Sequence, residues 1–244
     1  MSTSPARAAL VTLAIGDDMP WLAHTEPWRE AYAARHGLAY VRLTQARVRK
    51  CVRWFKPRVN LYLEKFQLFD LFPQFDRIFY ADADVLLHPQ APNFLELVPE
   101  RELGVVYEDI AHEEPKRIEE WQRAQKRLGP LPQPPAGYFN AGVMVMGGVH
   151  RELFAIRGRK FASGRWPDQN TLNYYAAKGR YPIRVLPAHC NLMPVAGEAF
   201  ADAALRRRAW AIHYAGRGTK ELMAGDDAYF RATYGRPADF AVAS

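Results

Sequence analysis

The sequence predicts a single α/β domain, and three observations point there. The chain opens in the order strand, turn, helix, strand: the apolar run Ala8 to Ile15, the turn cluster Gly16-Asp17-Asp18, apolar residues at helical spacing from Trp21 to His36, and Leu38 to Leu43. That order favours parallel pairing through a crossover helix. The 244 residues, at roughly 150 per domain, fit one large domain or two small ones. A hydrophobic share of 49% with 24% charged residues is ordinary globular usage and excludes disorder, collagen and coiled coil.

Each element has its own warrant. Gly37 supplies the residue that ends the first helix in a left-handed turn. Val59 to Phe72 reads as an amphipathic helix stopped by Pro73, and Arg77 to Ala81 as a buried strand. Leu103 to Tyr107 is a further strand, and Glu113 to Leu128 a charged surface helix. Gly129 to Gly137 (GPLPQPPAG) is a linker or a loop over a site, because its prolines lack N–H donors and fix φ. Tyr138 to Met146 returns to strand character. His150 to Ser163 and Asp168 to Lys178 read as helices, Tyr181 to Leu186 and Trp210 to Tyr214 as extended, and the C-terminal part as smaller and irregular.

The chemistry concentrates at strand ends. Asp82-Ala83-Asp84 follows the strand candidate Arg77 to Ala81, and ligands of open α/β sheets collect beyond the carboxyl ends of strands. Two carboxylates around a small residue can grip one divalent cation. Hard oxygen ligands suit Mg²⁺ or Mn²⁺, which commonly neutralise a diphosphate. A solvated turn with two caps would use the same residues. His213 closes another strand candidate. Its nitrogen would complete the metal shell and favour Mn²⁺ over Mg²⁺, or else serve as a buried structural imidazole. The following Ala215-Gly216-Arg217-Gly218-Thr219-Lys220 lets backbone N–H groups approach phosphate oxygens, with Lys220 adding charge. Asn140-Ala141-Gly142 lies in a strand where glycine permits close approach. Asp168 and Gln169 open a helix after Pro167, suited both to the helix dipole and to hydrogen-bonding sugar hydroxyls.

In this order the motifs resemble the retaining glycosyltransferases of family 8, GT-A-fold enzymes that include bacterial lipopolysaccharide galactosyl- and glucosyltransferases and glycogenin. The resemblance spans about Ala9 to Lys220. Asp82-Ala83-Asp84 matches the family's metal motif, and Asn140-Ala141-Gly142 its "N-[AS]-G-[VM]" strand. Asp168-Gln169 with Leu172-Asn173 matches "DQ-x-x-LN", and Leu186-Pro187 to Asn191 the "LP…N" segment. The closing His-x-x-Gly-x-x-Lys-Pro-Trp is met by His213 and Gly216. Lys220 falls one residue late, and Glu221-Leu222 replaces Pro-Trp.

The resemblance implies a GT-A-type fold: one Rossmann-like mixed sheet flanked by helices, with a nucleotide-binding half over about 8–110, an acceptor half over about 111–225 and a tail over 226–244. It implies transfer of a hexose from a nucleotide diphosphate sugar, UDP-galactose or UDP-glucose, to a hydroxyl of a glycan, a lipid-linked acceptor or a small molecule. Mn²⁺, with Mg²⁺ as its substitute, would sit on Asp82, Asp84 and His213. The donor would meet Thr12, Ala14, Ile15, Lys65, Asp82, Ala83, Asn140, Ala141, Gly216 and Lys220, and the reaction centre Asp168 and Gln169. Position 169 is an amide and a poor nucleophile, which favours front-face substitution over double displacement. The alternative from another class is a GT-A scaffold that binds a nucleotide or an anionic glycan without turnover.

Charge and composition set the remaining expectations. The formal charge is +7, and Arg47, Arg49, Lys50, Arg53, Lys56 and Arg58 cluster between Gln45 and Asn60 with no acid among them. Such a patch attracts anions. Trp54 and Phe55 within it would suit single-stranded nucleic acid, but no RNA-binding module signature accompanies them. An acidic acceptor, or peripheral contact with an anionic membrane, suffices. No apolar run approaches the roughly 18 residues of a membrane span. Ala8 to Ile15 lacks the basic flank of a signal peptide, so a cytoplasmic protein is expected. Cys51 and Cys190 stand in no metal-type spacing and read as reduced thiols.

Overall fold

The computed structural model describes residues 7–16, 19–48, 61–108, 115–131, 137–216 and 218–241. Among them a six-stranded sheet forms the centre, in the order β2-β1-β3-β6-β5-β7. Its strands are β1 (Ala8–Leu13), β2 (Ala39–Leu43), β3 (Arg77–Ala81), β5 (Leu103–Tyr107), β6 (Phe139–Gly147) and β7 (Ile183–Val185). A separate two-stranded ribbon pairs β4 (Val85–Leu87) with β8 (Ala211–His213) antiparallel. Every residue of β3 and β6 is buried. Both faces are covered, so apart from Arg77 and Asn140 these strands are apolar runs and not alternating ones. The two faces are nonetheless distinct: Ile78, Tyr80, Met144 and Met146 pack into one cluster, Phe79, Ala81, Val143 and Val145 into another.

The sheet is mixed. β1 pairs parallel with β2 and β3, and β5 parallel with β7, while β6 runs antiparallel to both neighbours. This reversal places the start of β6 beside the ends of β3 and β5. Asn140 therefore meets the segments that follow those strands at one edge of the sheet.

Helix α1 (Leu22–Arg35) is followed by Gly37 at φ +62°, as its sequence requires. Helices α2 (Pro115–Leu128) and α3 (Pro167–Lys178) begin within two residues of their expected starts. Two expectations differ. Leu61–Asp70, expected within an amphipathic α-helix from Val59 to Phe72, winds as tight 3-10 turns, and Leu63 through Leu68 are all buried. Their polar members are satisfied internally: Glu64 accepts from the Arg47 and Val48 N–H groups at 2.7 and 2.9 Å and from Gln67 at 2.7 Å. The helix expected over His150 to Ser163 is confined to 3-10 turns at Gly148–Phe154. Ala155 is extended and Gly158 has φ +71°, so the chain leaves the helical region there.

The C-terminal part is more ordered than its sequence suggests. After the short α4 (Glu198–Ala201) and α5 (Ala203–Arg206), α6 (Glu221–Tyr234) buries Met223 and Phe230 against Trp28 of α1, Leu86 of β4 and Ile212 of β8. Of the basic segment only Arg47 belongs to the described residues, and Cys51 lies outside them. Cys190 is a buried free thiol. No helix among the described residues is long and apolar enough to cross a membrane.

Candidate active site at the carboxyl edge of the sheet

A cleft of about 460 Å³ opens where β3 and β5 end and β6 begins. Asp82 follows β3 directly, and its N–H donates to the Gly142 carbonyl at 2.8 Å. Asp84 leads into β4, whose Val85 lies opposite His213 of β8. One ligand atom from each of Asp82, Asp84 and His213 falls within 4.8 Å of the others. The His213 Nε2 is 3.4 Å from Asp84 Oδ1 and 3.9 Å from Asp82 Oδ2. Its Nδ1 lies 3.1 Å from Asn191 Oδ1. An amide oxygen can only accept, so Nδ1 carries a proton, and Nε2 is the ring atom turned toward the carboxylates. A Cβ at position 142 would overlap the His213 ring, which explains glycine in this strand.

The electrostatics follow from this crowding. Burial disfavours the Asp84 carboxylate, but His213 and Lys220 outweigh it and hold its pKa well below the usual range. Burial likewise opposes charge on His213, and Asp84 with Asp82 reverses that and raises its pKa. Lys65 is buried, yet Asp168 and Asp82 more than offset the desolvation and raise its pKa. Its ammonium reaches Asp168 Oδ2 at 2.9 Å, Asp82 Oδ1 at 3.3 Å and the Ala141 carbonyl at 2.8 Å. Those are its three donors, so Lys65 ties β3, β6 and α3 together. The Tyr80 hydroxyl donates to Asp82 Oδ1 at 2.6 Å.

The opposite wall is an amide network. Gln169 Oε1 accepts from Asn140 Nδ2 and from the Ala141 N–H, both at 3.1 Å. Asn140 Oδ1 accepts from Asn191 at 3.0 Å and from the Gly142 N–H at 2.7 Å. Glu108, just past β5, accepts from Asn140 at 2.6 Å and from Gln169 at 3.1 Å, and pairs with Arg117. The Arg117 guanidinium lies 4.4 Å from the Trp166 ring centroid. Asp168 occupies the first turn of α3, where the helix dipole favours a carboxylate. Its Oδ1 is buried without a hydrogen-bond partner.

The structure thus gathers Lys65, Asp82, Asp84, Asn140, Asp168, Gln169, His213, Gly216 and Lys220 around the cleft. Lys220, one residue late in sequence, reaches Asp84 Oδ2 at 3.0 Å and the Tyr214 carbonyl at 3.2 Å. Ala141 contributes its carbonyl to Lys65, and the Ala83 carbonyl accepts from Thr25 and Arg29, each at 2.9 Å. Thr12, Ala14 and Ile15 are not part of this lining. Thr12 is buried within β1, one strand over from β3, and Ala14 bonds to Leu43 of the segment ending β2 at 2.9 Å. Sequence reasoning missed Glu108, Arg117 and Trp166, which are lone residues without motif spacing.

The fold is that of the GT-A glycosyltransferases. A glycosyltransferase involved in glycosylation of the major capsid of PBCV-1 shares 14% identity over 91% of this chain and 99% of that one, with a TM-score of 0.56. The galactosyltransferase LgtC, solved with donor and acceptor sugar analogs, shares 15% over 91% and 95%, with a TM-score of 0.51. The bifunctional glycosyltransferase WbbM shares 15% over 100% of this chain and 53% of its own, with a TM-score of 0.59. No curated protein matches the chain. The family model Glycosyl transferase family 8 matches residues 56–148, the segment that carries Asp82-Ala83-Asp84 and Asn140-Ala141-Gly142. Over that segment the chain is similar to glycosyltransferase family 8.

Proposed function

We propose that the protein moves a hexose from UDP-galactose or UDP-glucose to a hydroxyl of a glycan, glycolipid or small-molecule acceptor, with retention of configuration and with a divalent cation. The observation that carries the reading is the convergence of Asp82, Asp84 and His213 on the floor of a cleft faced by Asp168 and the Asn140–Gln169 network. The donor set fits such an ion. Two carboxylates and an imidazole whose other nitrogen is already engaged form a mixed oxygen and nitrogen site, which suits Mn²⁺ and accepts Mg²⁺. A bound cation would act as a Lewis acid and stabilise the charge that develops on the departing diphosphate.

The chain's own residues do the rest. Lys220 holds positive charge beside Asp84, where it adds to the field that favours an anionic leaving group. Asp168, paired with Lys65, keeps Oδ1 for a sugar hydroxyl. Gln169 is a positioning residue: both lone pairs of its Oε1 are already taken, so no electron pair remains for attack at the anomeric carbon. This supports front-face substitution, in which the acceptor attacks from the side the diphosphate leaves and a departing phosphate oxygen takes the acceptor's proton. The solved LgtC variant in which an active-site glutamine is replaced by glutamate marks glutamine as an active-site residue in that protein as well.

The test is a panel of nucleotide sugars scored for Mn²⁺-dependent release of nucleotide diphosphate, with and without neutral and acidic acceptors. Release from a UDP-hexose, stimulated by one acceptor class, is the expected result. Binding of UDP without turnover from any donor would overturn the reading in favour of a non-catalytic binding protein.

A further inference from the structure

The ribbon of β4 and β8 has two ends. Asp84 and His213 stand at one. At the other the pairing continues to His88, whose N–H donates to the Trp210 carbonyl at 2.9 Å. Asp84 and His88 are four steps of extended chain apart, roughly 13 Å. A second cavity, of about 660 Å³, opens at this far end. Its described lining includes His88, Arg207, Arg208, Trp210, Tyr229 and Tyr234, with Gln90 as its one amide and no Asp or Glu. The first six side chains donate hydrogen bonds, and four of them carry flat rings.

The charge at this cavity is positive by construction. Asp226, fully buried, accepts from Arg206 at 2.6 Å, from Arg207 at 2.7 Å and from the Tyr214 hydroxyl at 2.7 Å. One carboxylate thus serves two guanidiniums, and the group keeps a net positive charge. The Arg207 guanidinium lies 4.5 Å from the centroid of Tyr229, a ring 40% exposed. Arg208 is exposed and has no ion pair among the described residues. His88 Nδ1 accepts from the Gln90 N–H at 3.0 Å, so its proton sits on Nε2. Burial, with Arg35 adding to it, pushes the His88 pKa down to about 4, so the ring is a neutral donor. No described residue takes the hydroxyls of Tyr229 and Tyr234 or the Trp210 indole N–H.

Rings of this kind cover the C–H face of a pyranose, and guanidiniums with N–H and O–H donors bind carboxylate oxygens. A neutral sugar needs acceptors for its hydroxyl protons. A concave site with donors and positive charge, and no carboxylate, selects an anionic sugar. We propose that this cavity binds a uronate-type pyranose of an acidic glycan, at a site separate from the catalytic cleft. The proposal does not rest on the transfer reading, because the cavity would bind such a sugar with or without turnover.

The test is titration calorimetry of trigalacturonate into the full chain saturated with UDP and Mn²⁺. Wild type is expected to bind one trisaccharide, and neutral maltotriose to bind at least about tenfold more weakly. Arg208→Glu, an exposed change that leaves the core untouched, should weaken trigalacturonate about tenfold or more, and Tyr229→Ala by a similar factor. Asp84→Asn should bind it like wild type. Unchanged affinity in Arg208→Glu, or binding of trigalacturonate only when UDP is left out, would overturn the proposal. So would binding of phosphatidylglycerol vesicles that Arg208→Glu abolishes, with no binding of the sugar.

Discussion

Two clusters of carboxylates lie at different places in this molecule, and they differ in how far their oxygens are satisfied. Under α6, Asp226 accepts from Arg206, Arg207 and Tyr214, and Asp227 from Trp28 at 2.8 Å, from Arg231 at 2.8 Å and from His24 at 2.9 Å. Their side chains are 0% and 7% exposed. At the carboxyl edge of the sheet, Asp82 and Asp84 remain 28% and 19% exposed, and they face one another across His213. Both clusters set acids beside bases. The first is closed and fixes α6 and α5 in place. The second leaves carboxylate and imidazole ligand atoms turned toward a cleft. A satisfied network is structural, and an open one is available for a ligand.

The comparison can be broken from either side. Asp84→Asn should lower Mn²⁺-dependent donor cleavage by roughly a thousandfold, since metal-assisted charge stabilisation contributes several kcal/mol, while the urea unfolding midpoint stays near wild type. Retained turnover would show that Asp84 is no ligand. Asp226→Ala should do the opposite: it strands two guanidiniums and should destabilise the fold by about 3 kcal/mol in urea titrations, with turnover per folded molecule near wild type. A loss of activity without a loss of stability would place Asp226 on the functional side.

The histidines sharpen the same contrast through pH. His150 is fully buried, with Nδ1 3.0 Å from the Gly147 N–H and Nε2 without a partner. Burial pushes its pKa from 6.5 down to about 4; the backbone bond partly offsets this and Arg77 adds to it. The unfolded chain then binds the proton more tightly than the folded one. Stability is therefore full above about pH 6.5 and is lost as pH falls toward 4, by about 3 kcal/mol. Urea midpoints measured from pH 7 to pH 4 should fall, and His150→Gln should flatten that slope. A profile identical to wild type in His150→Gln would refute this closed, neutral histidine. The smallest effect is expected at the surface. Arg42 donates to both Glu26 oxygens at 3.0 and 2.9 Å, but it is solvent-exposed, so Arg42→Ala should cost about 0.5 kcal/mol or less in the same titration.

Much of the site was legible before the fold was known, and the reason lies in chemistry that clusters along the chain. Asp82 and Asp84 share one short segment after a run of five buried residues, and Asp168 with Gln169 opens a helix after Pro167. Lone residues carried no such signal. Glu108 sits in an acid-rich stretch of sequence, and Arg117 is one of many basic residues on a charged helix. Asn191, read only as part of a motif, turns out to orient His213. The three-residue strands β4 and β8 are too short to show a period, so the ribbon that carries His213 to Asp84 was not legible. Nor was the ordered end of the chain, because Met223 and Phe230 become a buried face only against Trp28 and Ile212.

The sequence by itself determined the α/β class, the central buried strands and the paired carboxylates of the candidate metal site, because apolar runs, turn residues and closely spaced acids are local properties. Only the tertiary structure decided that β6 runs against its neighbours, that Lys65 is consumed by three acceptors, and that α5, α6 and the ribbon enclose a second, donor-rich cavity. Those facts depend on which distant segments share a sheet edge or a helix face. Pairing direction and burial of that kind arise from contacts between residues far apart in the chain, and no local pattern encodes them.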